Sequence, residues 1–257
     1  MKYKKIDTKL FIKNRKNFVN KLERKSIAFF NSNDIYPISA DSELPFEQHR
    51  DIFHLTGIDQ EETILLLYPP SKDDKTREIL FIRKSDNHTK VWEGEKLSKK
   101  QANELSGIDS IYFIDDFKDI LSSIASQVDT FYINKNEHYR ANSPVETRED
   151  RFISWLLKKY PAHNVAKSNP ILQRQRSIKH PDEIDQIKKA CDITRKGFNR
   201  VLEFIKPNVW EYEIEAEFIH EFINSSSKGF SYSPIIASGN DNNVLHYIKN
   251  NKQCKSG

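Results

Sequence analysis

Apolar residues recur along the chain with two different periods. From residue 7 to about 24, Leu10, Phe11, Phe18 and Leu22 fall at helical spacing among basic residues, and "SIAFFN" at 26–31 then reads as a strand. The runs "ETILLLYPP", "REILFIRK", "SIYFIDDF" and "TFYINK" concentrate β-branched and aromatic residues over strand lengths. Polar, helix-compatible stretches near 98–105 and 116–127 lie among them, and this alternation predicts an α/β sheet domain. "YPPSKDDKTR" predicts a turn pairing the first two of these four strands, whereas the later ones need helical crossovers. A helix over about 144–160, with Phe152, Trp155, Leu156 and Leu157 on one side, ends before Pro161 because proline cannot continue it.

The alternation stops in "AKSNPILQRQR", which places a boundary between a first domain at 1–170 and a second at 171–257. In "HPDEIDQIKKACDITRKGFNRVLEFIKP", Pro181 takes a first helical position with acidic groups in the first turn. Ile184, Ile187, Cys191, Thr194, Phe198, Val201, Leu202 and Ile205 form its apolar stripe. Pro207 ends that helix, and "WEYEIEAEFIHEFINSS" starts another with Ile214, Phe218, Ile219 and Phe222 on one face. "FSYSPIIAS" and "NNVLHY" read as two strands joined by the turn "GNDN".

Composition narrows the function classes. The 257 residues carry 41 basic and 37 acidic groups scattered throughout, for a net charge of +4, so no basic stripe predicts a nucleic-acid partner. The densest basic stretch, with Lys2, Lys4, Lys5, Lys9, Lys13, Arg15 and Lys16, reads as the solvated face of the first helix. Cys191 and Cys254 are the only cysteines, which excludes a disulfide framework or zinc ribbon. No apolar run approaches membrane-spanning length, so the expected setting is soluble, reducing and cytoplasmic, with no membrane partner.

Most candidate chemistry fails on spacing. "HEFIN" at 220–224 opens like a zinc-protease helix, but Asn224 stands where the second histidine is needed. No phosphate-cradling glycine loop and no Gly-x-Ser-x-Gly elbow exists. Cys191 sits in an apolar stripe and is expected to pack, and Asp115 and Asp116 read as helix caps. His246 is left, projecting from a predicted strand beside Gly-Asn-Asp-Asn.

The segments "RSIKHPDEIDQIKKACDIT", "KPNVWEYEIEAEFIHEF" and "FSYSPIIASGNDNNVLHY" together resemble the opening of the catalytic domain of the Xaa-Pro aminopeptidases (aminopeptidase P). That family belongs to the wider "pita-bread" group of prolidase, methionine aminopeptidase and creatinase. "DSELPFEQHRDIFHLTGIDQEETILLLYP" and "VWEG" resemble the domain that precedes it in aminopeptidase P. The resemblance implies a creatinase-type mixed-sheet α/β domain followed by the first part of an α+β pita-bread domain. It also implies a parent metallopeptidase that hydrolyses the bond between an amino-terminal residue and proline, using two divalent ions, usually manganese, around a bridging hydroxide.

The family's metal ligands, two aspartates, a histidine and two glutamates, all follow the Leu-His-Tyr segment. The resemblance therefore implies that the chain ending at Gly257 holds no metal and is inactive alone. His246 matches a histidine that hydrogen-bonds substrate and the developing intermediate, and Tyr232 matches an aromatic residue lining the pocket for the amino-terminal residue. Trp92 and Asp41 match positions that approach a neighbouring subunit's active site in oligomeric members, so a homodimer or larger homo-oligomer is implied. Glu93 and Glu95 depart from the more basic family pattern around Trp92. Tyr247, turned away by strand alternation, is expected to pack. Two other readings share the fold: a non-catalytic peptide- or protein-binding module, and a creatinase- or prolidase-like hydrolase. A helix pair with one hairpin would leave apolar faces uncovered, so the second domain is expected to expose apolar surface or self-associate.

Overall fold

The computed structural model describes residue 3, residues 5–141 and residues 143–256. Lys2 and Lys4 lie outside the described residues. The chain forms two compact units, one spanning Ile6–Lys179 and the other formed from His180 onward.

The first unit begins with α1 (Thr8–Val19), β1 (Ser26–Asn31), a small hairpin of β2 (Pro37–Ser39) and β3 (Ser42–Glu43), α2 (Arg50–Thr56) and β4 (Ile64–Leu67). It continues with β5 (Glu78–Ile82), α3 (Asn87–Trp92), α4 (Lys99–Ser106), β6 (Ser110–Phe113), α5 (Phe117–Ile124) and β7 (Thr130–Ile133). It ends with α6 (Arg148–Lys159), β8 (Asn164–Lys167) and α7 (Asn169–Ser177). The main sheet runs β6-β5-β4-β1-β7-β8, mixed because β4 is antiparallel to both β5 and β1 while the other pairs are parallel. The β4–β5 pairing matches the expected turn at 68–77.

Every residue of β1 is buried, the signature of a strand with both faces covered. Its alternate residues feed two cores. Ala28 and Phe30 join Phe18, Ile52, Leu55, Ala102 and Leu172 from α1, α2, α4 and α7 on one face. Ile27 and Phe29 join Phe117, Leu121 and Leu156 from α5 and α6 on the other.

Several sequence expectations need correcting. Arg15 is fully buried rather than solvated, because it continues the inward stripe Leu10, Phe11, Asn14 of α1. Its guanidinium donates to Leu55 O at 2.8 Å and Ser106 O at 2.9 Å, capping the carboxyl ends of α2 and α4, and to Glu78 at 2.8 Å. Those two helices end in left-handed glycines, Gly57 and Gly107, and a Cβ on Gly57 would meet the Phe11 ring at 2.3 Å. Leu157 points outward from α6, since only Leu156 of that pair falls on the face toward the sheet. The first unit also takes in "AKSNPILQRQR", whose first residues end β8 and whose remainder forms α7, and runs to Lys179. "NVAK" escapes a sequence reading because it is an exposed edge strand without an apolar run.

The second unit holds α8 (Pro181–Phe204) and α9 (Glu211–Asn224). Gly197 lets them approach, since a Cβ there would sit 2.9 Å from Phe218 and Phe222. A small core of Val201, Val209 and Ile214 forms with Phe204, Phe218, Ile236 and Cys254 packed against it. Much of the expected stripe stays exposed: Ile184, Ile187, Phe198 and Leu202 on α8, Ile205 at its carboxyl cap, and Ile219 on α9. Cys191 is exposed too, so it does not pack in a core; the stripe is wider than the contact α9 offers.

The expected hairpin is not a strand pair. Residues 239–243 form a 3-10 turn (Gly239–Asn243), in which Asn242 and Asn243 side chains bond backbone carbonyls, and its flanks are irregular. The amide of Asn250 takes over a partner strand's work, accepting from Ile236 N at 3.0 Å and donating to Pro234 O at 3.1 Å. No helix among the described residues is long and apolar enough to cross a membrane.

Candidate functional site

In the first unit, Trp92 closes the short helix α3, which starts from the Asp86 cap on Thr89 N at 2.7 Å. Its indole is 73% exposed and stacks on His88, with ring centroids 5.9 Å apart. The residue after it is tightly held. Glu93 receives a two-pronged hydrogen bond from Arg83 at 2.6 and 2.7 Å and a salt bridge from Lys96 at 3.0 Å. Arg83 and Lys96 also clasp the buried Glu61, at 3.0 and 2.6 Å.

These contacts set the charges. The Arg83 hydrogen bonds, with help from Lys96, hold the Glu93 carboxyl down at about 2. Burial alone would raise Glu61, but hydrogen bonds from Lys96 and Arg83 outweigh it and the carboxyl is lowered. Glu93 and Glu95, which depart from the family pattern, therefore have partners: Glu95 pairs with Lys90 at 3.2 Å. Sequence reading missed this clamp because Glu61, Arg83 and the Glu93–Lys96 pair lie on three segments distant in sequence.

Asp41 sits exposed at the turn between β2 and β3, beside the exposed apolar residues Tyr36, Ile38 and Leu44. Trp92 and Asp41 thus belong to two separate solvent-facing projections of one sheet domain.

In the second unit the organising group is Glu211, the first residue of α9, which is fully buried. Its Oε1 accepts from Ser238 N at 2.8 Å and Ser238 Oγ at 2.7 Å, while Oε2 accepts from Tyr247 Oη at 2.7 Å and Lys252 N at 3.0 Å. Burial opposes ionisation, but these donors win and the carboxyl is lowered. Burial and the facing carboxylate push the Tyr247 phenol up to about 12.

Tyr247 packs as expected, though through this anchor and not through strand alternation. With Tyr247 tied down, Leu245 and His246 on the same turn face solvent. Tyr232 is also 73% exposed, on the irregular segment after α9. His246 and Tyr232 are therefore brought onto one small unit as outward-facing side chains. Residues 252–254 pair with 208–211, through Glu211 N to Lys252 O at 2.9 Å and Cys254 N to Val209 O at 2.8 Å. Nothing in the sequence marks Glu211 beyond its place in a first helical turn. The signal that could have found it is a carboxylate at the first position of a helix, followed by a Ser-Gly turn and a Tyr-x-x-Asn segment.

Among the described residues no three His, Cys, Asp or Glu side chains converge as a metal-binding group. The described donor set therefore does not fit a divalent ion, and the chemistry assigned to this chain is that of its side chains.

Comparison with known proteins agrees with this arrangement. Residues 11–132 match the family model for the aminopeptidase P N-terminal domain, and residues 185–257 match that for metallopeptidase family M24. The Xaa-Pro aminopeptidase of Escherichia coli K12 is 27% identical over 253 residues, covering 96% of this chain and 56% of that protein. Human Xaa-Pro aminopeptidase 3 is 27% identical, covering 88% of this chain and 44% of its own length. The chain thus spans about half the length of the curated relatives it matches. Among solved structures, a candidate aminopeptidase P from Bacillus anthracis superposes with a TM-score of 0.89 at 30% identity, over 98% of this chain and 60% of that one. E. coli aminopeptidase P with the inhibitor Pro-Leu superposes with a TM-score of 0.85 at 27% identity, over 99% of this chain and 58% of that one. The chain carries an aminopeptidase P N-terminal domain followed by the start of an M24 metallopeptidase domain.

Proposed function

We propose that this chain is the front portion of an Xaa-Pro aminopeptidase, a hydrolase that removes an amino-terminal residue preceding proline. The observation that carries this reading is the agreement with E. coli aminopeptidase P across 99% of this chain, in both units. The parent enzyme is expected to be cytoplasmic and homo-oligomeric and to use two divalent ions, manganese in the first instance. Those ions supply the activated water when bound, and their ligands are expected outside the residues described.

The roles of this chain's own residues follow from exposure and chemistry. The His246 imidazole, free of burial and presented by the Tyr247–Glu211 anchor, donates a hydrogen bond to the oxygen on which charge develops. Tyr232 offers an aromatic wall for the substrate's first side chain. Trp92 and Asp41, on solvent-facing projections of the first unit, narrow a neighbouring subunit's cleft and favour short peptides. The exposed apolar stripe of α8 is the surface against which the remainder of a pita-bread domain packs.

The test compares the purified 257-residue chain with the product of the full reading frame, each supplied with manganese and an Xaa-Pro-Xaa tripeptide. Release of the first residue is expected only from the full product, and His246→Ala in it should lower kcat by about 100-fold or more. Release by the 257-residue chain, or none by the full product, would overturn the proposal.

A further inference from the structure

In the second unit, Asn250 combines an unusual backbone with a fully used side chain. Its φ of 44° lies in the left-handed region, which asparagine enters more readily than most residues that carry a side chain. Such a conformation persists only where surrounding contacts fix it, and the residue is 3% exposed.

Those contacts are hydrogen bonds to two distant segments. Asn250 Nδ2 donates to Glu215 Oε2 at 2.9 Å and to Pro234 O at 3.1 Å, while Oδ1 accepts from Ile236 N at 3.0 Å. Turning the amide over would set its oxygen against the Glu215 carboxylate and the Pro234 carbonyl, so its orientation is fixed. Glu215 lies one helical turn after Glu211, so two carboxylates of α9 share the work. Glu211 binds Ser238, Tyr247 and Lys252, whereas Glu215 binds Asn250.

Tyr232 precedes Pro234 by two residues. On its other side, Phe230 packs on Phe222 and Phe218, with ring centroids 5.0 and 6.3 Å apart. The exposed Tyr232 ring is therefore carried on an irregular segment that is tied at both flanks. Asn250 supplies the tie on the carboxyl side. Asparagine alone combines two N–H donors and an acceptor on so short a side chain with tolerance of left-handed φ.

We propose that Asn250 is a positioning residue, which fixes the Tyr232 ring and through it the fit of the substrate's first side chain. This rests on the pocket role proposed for Tyr232.

Two measurements test it. In the 257-residue chain, Asn250→Gly keeps the backbone conformation but removes all three bonds, and the Ile236 amide should then exchange about 100-fold faster. In the product of the full reading frame, the same variant should raise KM for a tripeptide with a bulky first residue about tenfold at unchanged kcat, and should add little when Tyr232→Ala is already present. Asn250→Asp, which tolerates the same φ but loses both donors, should give the same kinetic pattern and decides the matter if the glycine variant fails to fold. Unchanged Ile236 exchange, a fall in kcat at constant KM, or an equal KM effect in the Tyr232→Ala background would each overturn the proposal. If the unaltered full product releases no residue, the peptidase reading fails by itself, and Ile236 exchange alone decides whether Asn250 holds this segment.

Discussion

Phe29 and Phe198 both sit in well-formed regular elements and both touch other aromatic rings, yet one is fully buried and the other 55% exposed. The difference lies in what surrounds them. Phe29 belongs to a strand inside a layer with helices on each face, so its ring meets Phe117, Phe131 and Phe152. Phe198 belongs to a helix whose apolar stripe is wider than its single helical neighbour covers, and its edge contact with Phe218 leaves half the ring in water. Apolar periodicity thus establishes that a face exists; the number of layers available decides whether it is buried.

The largest test of this contrast is truncation at those two positions. Phe29→Ala should cost about 4 kcal/mol, the transfer free energy of a buried ring plus the cavity it leaves. Phe198→Ala should cost about 1 kcal/mol or less, because water already reaches the ring. Urea denaturation followed unit by unit measures both, and similar losses at the two sites would break the comparison.

Arg15→Ala ranks next. Removing the buried guanidinium strands Glu78 and the carbonyls of Leu55 and Ser106, for an expected loss of about 3 kcal/mol. Arg15→Lys should recover little of it, since an ammonium cannot span three separated acceptors as the planar fork does. Full rescue by lysine would mean that the helix ends are not held in this way.

In the second unit, Leu202→Ser at a residue 71% exposed should change stability by no more than about 0.5 kcal/mol. The same substitution should reduce self-association in sedimentation velocity, because it interrupts an uncovered apolar face. A large stability loss with unchanged association would show that the face is buried in solution.

The smallest expected effect is a pH response at Trp92. The Glu93 carboxyl is held below its unfolded value, so its contribution to stability is present above about pH 4.5 and is lost as pH falls toward about 2. Local order around α3 should fade through that window, visible as a change in Trp92 fluorescence that Glu93→Gln makes pH-independent. A transition that survives the substitution would have to come from another group.

The same contrast explains what was legible in the sequence. Strands β1, β4, β5 and β7 announce themselves because two-sided burial demands continuous apolar runs, the edge strand β6 because its residues are largely apolar, and α8 and α9 because prolines and periodicity bound them. The edge strand β8 did not, since an exposed edge needs no apolar signature. Periodicity placed Arg15 inside α1 as surely as it placed Phe11, but charge argued otherwise, and only the convergence of two helix ends accounts for the burial. The expected hairpin failed because Asn250 supplies by side chain what a strand would supply by backbone. Of the proposed site, His246 was singled out by its place beside Gly-Asn-Asp-Asn and took its role from resemblance, through which Tyr232, Trp92 and Asp41 were also reached. The groups that present them, Glu211 beneath Tyr247 and the Arg83–Glu93 clamp beside Trp92, depend on contacts between distant segments that a single sequence does not display.

Hydrogen exchange measured residue by residue on the 257-residue chain tests the account most directly, because it reads closed and open packing in one experiment. The paired amides of β1, β4 and β7 should exchange only through global unfolding of their unit, and those along the exposed half of α8 at least about 100-fold faster. Protection in α8 equal to that in β1 would contradict the account, since it would place the second unit's apolar stripe in a core as complete as the first's.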